Sequence, residues 1–333
     1  MNPAGIDVFV PCYNYGRFLR QCTESVLQET RFPIRVLIID DASTDGSAEE
    51  ARKIAAEDSR VAVITHSSNQ GHIATYNEGI AWVQATYMLL LSADDMVAPG
   101  ALARAVALME ANPNVAFVYG RAIRFSKVEE LKDIQGGIDS AEVAVHHGME
   151  FIRRICSRPD NPVDTATAVV RGIVQKRVGG YCPQLPHSGD LEMWLRCAAH
   201  GDVAEIGAVQ GFSRMHGANM RDAYYGPQLL RDYRQRQEAF SYFFQNHGGV
   251  IPGADQLKQR AFSSLANQLV WEASCAIDHR RPHATLIEFA REVWPNVRWT
   301  RPYLKMTIKR VLRALLDYRV RDRSQAAASR GRP

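Results

Sequence analysis

The sequence predicts an α/β fold in which a mixed, mostly parallel sheet is flanked by helices. Two observations lead there. The first 120 residues alternate short β-like runs with helical runs, the pattern of strand–helix–strand units. The β-like runs are also almost continuously apolar, as strands covered on both faces are.

Ile6–Val10 reads as the first strand. Arg17–Gln28 reads as a helix because Phe18, Leu19, Cys22, Val26 and Leu27 share one face. Ile34–Ile39 is the next strand. Ser47–Ala56 follows as a helix, opened by the capping-box pattern Ser47-x-x-Glu50. Val61–Thr65 is a strand, Gly71–Val83 a helix and Tyr87–Leu91 a strand. Pro99 stands where a helix begins, and Ala101–Ala111 supplies good helix formers. Val115–Tyr119 is another strand. Residues 121–165 are less regular, with Gly136-Gly137, His146-His147, which read as loop, and Pro159–Pro162. Thr165–Val170 reads as a strand, and Gly172–Val178 as a helix closed by Gly179. Asp190–His200 is a helix with Leu191, Trp194, Leu195 and Ala198 facing inward. Two short strands, Val203–Ile206 and Ala208–Met215, precede a chain that reads as helical from Tyr225 onward.

Composition narrows the class. Of 333 residues, 46 % are apolar and 23 % charged, which excludes collagen, coiled coil and wholesale disorder. No apolar run approaches the ~20 residues of a bilayer span. The N-terminus shows no basic segment followed by a long apolar one, so no signal peptide is expected. Six cysteines without a C-x-x-C pair read as reduced thiols. These readings together predict a cytoplasmic protein.

The net charge of +4 is unevenly spread: residues 301–333 carry ten basic and two acidic side chains, the rest 30 and 34. A mildly acidic body argues against a nucleic-acid partner, while the tail suits an anionic one. In Tyr303–Arg321, Leu304, Ile308, Val311, Leu312, Leu315 and Leu316 share one face. Lys305, Lys309, Arg310, Arg313 and Arg319 lie mostly around it. Two readings stand: residues 303–321 lie on an anionic membrane surface, or the apolar face packs on residues 255–294. Packing is the plainer.

The polar clusters fall at the carboxyl ends of the expected strands, where open α/β sheets bind ligands. Ser92-Ala93-Asp94-Asp95 places adjacent carboxylates there. Such a pair suits a hard divalent cation, though Asp is also common in turns. Asp40-Asp41-Ala42-Ser43-Thr44-Asp45-Gly46-Ser47 offers carboxylates for a base N–H or a ribose hydroxyl, or simply a turn and helix cap.

Val10-Pro11-Cys12-Tyr13-Asn14, the Asp40–Ser47 loop, Asn69-Gln70-Gly71 and Ser92–Asp95 together closely resemble the family 2 glycosyltransferases. Gly189-Asp190-Leu191-Glu192-Met193-Trp194-Leu195-Arg196 resembles that family's acidic catalytic segment, and Arg214-Met215-His216-Gly217-Ala218-Asn219-Met220 the motif closing its catalytic domain. The resemblance implies a GT-A fold over 1–220, with 221–333 as a helical C-terminal region bearing the basic tail. It also implies inverting, metal-dependent transfer of one sugar from a nucleoside diphosphate sugar, a UDP- or dTDP-sugar, to a glycan or lipid-linked glycan. Cell-surface polysaccharide synthesis is the implied setting, with the enzyme cytoplasmic or peripheral on the inner membrane face.

By that resemblance Pro11 and Tyr13 line the base pocket, Asp41 hydrogen-bonds the base, and Asn14 and Asn69 belong to the donor-binding set. Asp94 reaches the ribose, and Asp95 binds Mg2+ or Mn2+. Asp190 is the general base, and Arg214 and His216 lie near the diphosphate or metal, His216 as a ligand. Glu192 is the fallback base, although on a helix it points some 200° away from Asp190. Gly189 departs from the acidic residue the family often has before its base. Arg298-Trp299 lacks the glutamine of the processive synthases, since Pro295 stands in its place. Three rival functions are a non-catalytic nucleotide-sugar-binding protein on the same scaffold, a nucleotidyltransferase, against which Pro11–Gly16 is not a Gly-rich basic loop, and a membrane-surface scaffold acting through the tail.

Overall fold

The computed structural model describes residues 5–131, 142–217, 219, 223–224 and 226–330; for Pro227 and residues 316–330 the backbone alone is described. Among the described residues a nine-stranded sheet runs in the order β3-β2-β1-β4-β8-β6-β9-β5, with β7 pairing β9. The strands β1 (Ile6–Cys12), β2 (Ile34–Asp40), β3 (Val61–Thr65) and β4 (Tyr87–Leu90) pair in parallel. β6 (Val115–Phe125) and β9 (Asp202–Arg214) are also parallel to one another. β5 (Met96–Val97), β7 (Val143–His146) and β8 (Val169–Arg171) pair antiparallel.

The continuous apolar runs are explained by what lies on each face. Phe9, Leu37 and Ile39 point into one core cluster, Val8, Val10, Val36 and Ile38 into the other, so neighbours alternate while all are buried. The first cluster is closed by α3 (His72–Trp82), α5 (Gly148–Ser157), α6 (Gly172–Val178) and α7 (Gly189–Ala198). The second is closed by α1 (Gly16–Leu27), α2 (Ser47–Glu57) and α4 (Ala101–Ala111). Each large side chain so buried contributes about 1.5–3 kcal/mol. Arg35 is the exposed position of β2, and its guanidinium pairs with buried Asp7 at 2.6 Å. Asp7 Oδ2 also accepts the N–H groups of Gln84 and Ala85, fixing the entry to β4.

Several expectations are corrected. The capping box at Ser47 does not form. Gly46, at φ 87°, is the cap, and Ser47 instead bonds the Asp45 carboxylate through its N–H and hydroxyl. His146 ends β7, and the ring of His147 accepts the Met149 N–H as the cap of α5, where loop was expected. Thr165–Thr167 is a 3-10 turn, and the strand expected there is reduced to Val169–Arg171. The two short strands after 202 are one, with a break in pairing between Ile206 and Val209 that accommodates Gly207. The Gly136-Gly137 segment, Ala218 and Met220 lie outside the described residues.

The C-terminal region forms α8 (Leu229–His247), α9 (Ala254–Asp278), α10 (Ala284–Val293) and α11 (Arg301–Arg330). α9, α10 and the start of α11 share a core of Leu265, Leu269, Ile287, Phe289, Tyr303 and Met306. Phe240 and Phe243 of α8 join the core under the sheet. The packing expected of the Leu304 face is overturned. α11 meets the body through Tyr303 and Met306, while Leu304, Ile308, Val311, Leu312 and Leu315 are exposed. The side chains of Leu316 and Arg319 lie outside those described. No helix among the described residues is long and apolar enough to cross a membrane.

Candidate functional site

Because β1, β2, β3 and β4 run parallel, the loops after them meet on one edge of the sheet. Backbone bonds from Asp41 N–H to Cys12 C=O and from His66 N–H to Asp40 C=O, both 2.9 Å, carry the ladder into those loops. They open on a cavity of about 720 Å3, whose far wall comes from α7 and α8. Pro11, Tyr13, Asp41, Asn69, Asp94, Asp95, Asp190 and Arg214 all line it.

Asp41 is held by three donors: His66 Nδ1 at 2.7 Å and Gln70 N–H at 2.7 Å on Oδ1, and Gly71 N–H at 2.9 Å on Oδ2. Burial works to raise its pKa, but the bonds from Gln70, His66 and Gly71 together keep it below the usual carboxylate range. A carboxylate has about four lone-pair positions, so one on Oδ2 stays open to a ligand N–H. Asn69 braces the same turn, donating to Asp41 C=O at 3.2 Å and accepting the Gly71 N–H at 3.1 Å.

Asn14 takes a different place from the one expected. It adopts φ 59° outside the cavity wall, its N–H donates to Ser43 Oγ at 2.9 Å, and its carboxamide oxygen accepts the Thr44 N–H at 2.8 Å. It fastens the first loop to the second. Tyr13, by contrast, is 47 % exposed and presents a ring on the cavity rim.

After β4, Asp94 and Asp95 diverge. Asp94 Oδ2 lies 3.0 Å from His216 Nε2, whose ring sits against Tyr15 and Phe18. Asp95 Oδ1 accepts the Arg214 N–H at 2.9 Å. Enclosure pushes both carboxyls up. For Asp95 the charges of Asp94 and Asp164 add to the rise, while for Asp94 the His216 bond opposes it. The expected ligand His216 is thus placed on Asp94 and is not among the residues lining the cavity. Cys12, inside the first motif, is 2 % exposed, and burial lifts its thiol to about 11, so it is inert.

Asp190 opens the first turn of α7. Its Oδ2 accepts from Thr165 Oγ1 at 3.0 Å, and it is also bonded to Tyr181. Enclosure raises its pKa against those two bonds. Glu192, the fallback base, faces away: it is fully buried and bonded to Arg196 Nε at 2.9 Å. Trp194 and Leu195 are core residues, as expected of that face.

Several lining residues were not anticipated. Asp164, Thr165 and Tyr181 surround Asp190, and His187, Asp232 and Arg236 close the far end. His187 Nε2 lies 2.9 Å from Asp232 Oδ1, with its ring stacked 3.7 Å from Tyr224. The i,i+4 pair Asp232 and Arg236 was the available signal, but on a helix it reads first as a surface ion pair.

The model of the family named glycosyl transferase family 2 matches residues 7–170. That segment, just under half of the chain, is a family 2 glycosyltransferase domain. Among curated relatives, this glycosyltransferase is 35 % identical over 92 residues to glycosyltransferase GlyG of Streptococcus pneumoniae, covering 28 % of this chain and 31 % of GlyG. It is 20 % identical over 246 residues to an uncharacterised glycosyltransferase of Haemophilus influenzae, covering 73 % and 75 %. Residues 1–349 of Staphylococcus aureus TarS, solved with UDP-GlcNAc, align at TM-score 0.55 and 14 % identity over 89 % of this chain and 92 % of that one. The mannosyltransferase PcManGT of Pyrobaculum calidifontis, solved with GDP-Man and Mn2+, aligns at TM-score 0.55 and 16 % identity over 95 % and 87 %. These likenesses show the fold, which is GT-A. The matched segment is under a third of GlyG's length.

Proposed function

We propose that this glycosyltransferase moves one sugar from a UDP- or dTDP-sugar to a hydroxyl of a glycan or lipid-linked glycan, with inversion, in cell-surface polysaccharide synthesis. The observation that carries this is one cavity joining three carboxylate stations: Asp41, the Asp94/Asp95 turn and Asp190. Tyr13 offers a ring for the base and Asp41 an open lone pair for a base N–H. Asp190, with a raised pKa and two fixed donors, is suited to take the acceptor hydroxyl's proton as that oxygen attacks. Such a base contributes ~10²–10⁴-fold. A single displacement needs no enzyme nucleophile.

The Asp94/Asp95 turn fits Mg2+ or Mn2+. Its hard oxygen donors crowd one another and Asp164, and a cation relieves that repulsion. Among the described residues no group of three or more His, Cys, Asp or Glu forms a closed metal shell. Asp95 would therefore hold the ion with one or two protein ligands, as Mg2+ sites with phosphate substrates do. When bound, the ion would offset charge gathering on the departing diphosphate. Asp94 is kept in place by His216, whose ring lies beside the proposed ion site through that bond. That TarS was solved with UDP-GlcNAc and PcManGT with Mn2+ supports both readings.

The test is a thermal-shift screen of UDP, dTDP, GDP and CMP with and without Mn2+. A ligand that binds only the folded state adds RT ln(1 + [L]/Kd). One diphosphate giving a Mn2+-dependent shift supports the reading. No shift at millimolar nucleotide overturns it. A shift without turnover of the matching nucleotide sugar on any glycan, or on water, would favour the non-catalytic binding protein.

A further inference from the structure

α11 is attached to the body by one side only. Tyr303 and Met306 are buried in the helical core, and Lys309 pairs with Asp278 of α9. Leu304, Ile308, Val311, Leu312 and Leu315 lie about 110–170° round the helix from the mean direction of those two anchors, and each is 49–60 % exposed. Their spacing of 4, 3, 1 and 3 residues makes one continuous stripe. Trp299, 73 % exposed, stands just before the helix with Arg298 over its ring.

Charge decides what covers the stripe. Arg301 and Lys305 flank it and are exposed. The segment 301–333 holds ten basic residues against two acidic, on a body of the opposite sign. A second copy packed through this stripe would bring two strongly basic tails together. An anionic bilayer meets both needs, since acyl chains accept the aliphatic face and headgroup phosphates accept the cations.

We propose that α11 is a membrane-surface anchor, with Leu304, Ile308, Val311, Leu312 and Leu315 entering an anionic leaflet and Arg301 and Lys305 contacting its headgroups. This stands apart from the donor chemistry, because vesicle binding needs neither nucleotide nor metal.

The full chain is sedimented with phosphatidylcholine vesicles that contain either no anionic lipid or about one-third phosphatidylglycerol. Binding is expected to the anionic vesicles alone and to weaken as salt shortens the Debye length. The double substitution Ile308→Glu, Leu312→Glu changes exposed side chains and is expected to leave the melting temperature unchanged. It should lower vesicle affinity at least about tenfold by removing two apolar anchors and reversing local charge. Absent binding to anionic vesicles overturns the proposal, as does equal binding by the double variant. A wild-type dimer in light scattering that the double variant dissolves would assign the stripe to a second copy, and so would also overturn it.

Discussion

The Arg214 N–H donates to Asp95 Oδ1, and Arg214 Nε donates to the Asp94 carbonyl, both at 2.9 Å. The end of β9 is thereby locked to the turn after β4. The Arg214 guanidinium lies 4.4 Å from the ring centres of both Phe18 and Phe125, and donates to Gln21 at 2.8 Å. A lysine keeps the charge but loses the planar fork and the double stacking. Arg214→Lys is expected to cost about 1–3 kcal/mol, read as a lower urea midpoint with unchanged slope. A midpoint equal to wild type would show that the fork contributes nothing.

Asp95→Ala leaves the backbone contact of Arg214 without its acceptor but removes the carboxylate that would hold the cation. The expected result is loss of the Mn2+-dependent part of the nucleotide-induced thermal shift, with the metal-independent part retained through Asp41. That part amounts to about 2.7 kcal/mol at a ligand concentration of 100 times Kd. A full Mn2+ response in the variant would move the metal elsewhere.

Asp190 and Glu192 separate chemistry from stability. Enclosure raises the Asp190 carboxyl above its unfolded value. Its contribution to stability is therefore present below the unfolded pKa and lost as pH rises through the folded one, so at neutral pH its ionisation opposes folding. Asp190→Asn should raise the melting temperature at neutral pH and lower turnover ~10²–10⁴-fold. The wild-type rate should fall on the acid side at a higher pH than an ordinary carboxylate would give. Glu192→Ala should do the reverse, costing about 3–5 kcal/mol by stranding buried Arg196 while the folded fraction keeps its turnover. Equal loss of turnover per folded molecule in both variants would refute Asp190 as the base.

The first half of the fold was legible because strands covered on both faces leave unbroken apolar runs, and their polar ends mark one edge. What was missed turns on contacts between distant segments. Gly120 reads as the end of a strand, yet β6 continues to Phe125. A Cβ there would come within 2.5 Å of Gln210 Cγ, so the glycine marks close packing rather than a stop. α5 falls in the stretch that reads as irregular, although Phe151, Ile152, Ile155 and Cys156 share a face. Its first residue, Gly148, sits where a Cβ would meet the Ala198 carbonyl at 1.9 Å, so glycine answers to α7 and not to the local chain. The motifs led to Asp41, Asp94, Asp95 and Asp190 because they lie beside strand and helix ends. Asp232 and Arg236 escaped because only the packing of α8 brings them to the cavity.

His66 was also missed, one residue beyond β3, and it supports the most specific pH prediction. Its Nδ1 lies 2.7 Å from Asp41 Oδ1 and its Nε2 2.6 Å from Glu78 Oε2. Burial works to lower its pKa, but the bonds to Asp41 and Glu78 raise it overall, whereas the Asp41 pKa is held down. The raised histidine gives stability that is fully present below its unfolded pKa of about 6.5 and lost as pH rises through the folded value. The depressed Asp41 gives stability present above about 3.9 and lost as pH falls through its folded value. The pair therefore holds the turn best between those limits. His66→Gln should cost about 1–3 kcal/mol near pH 6, with the deficit shrinking as pH rises and the histidine of the wild type loses its proton. Urea unfolding of both proteins across that range reads the difference directly. A deficit that stays constant with pH would mean the imidazole is neutral throughout and acts on Asp41 by shape and hydrogen bonding alone.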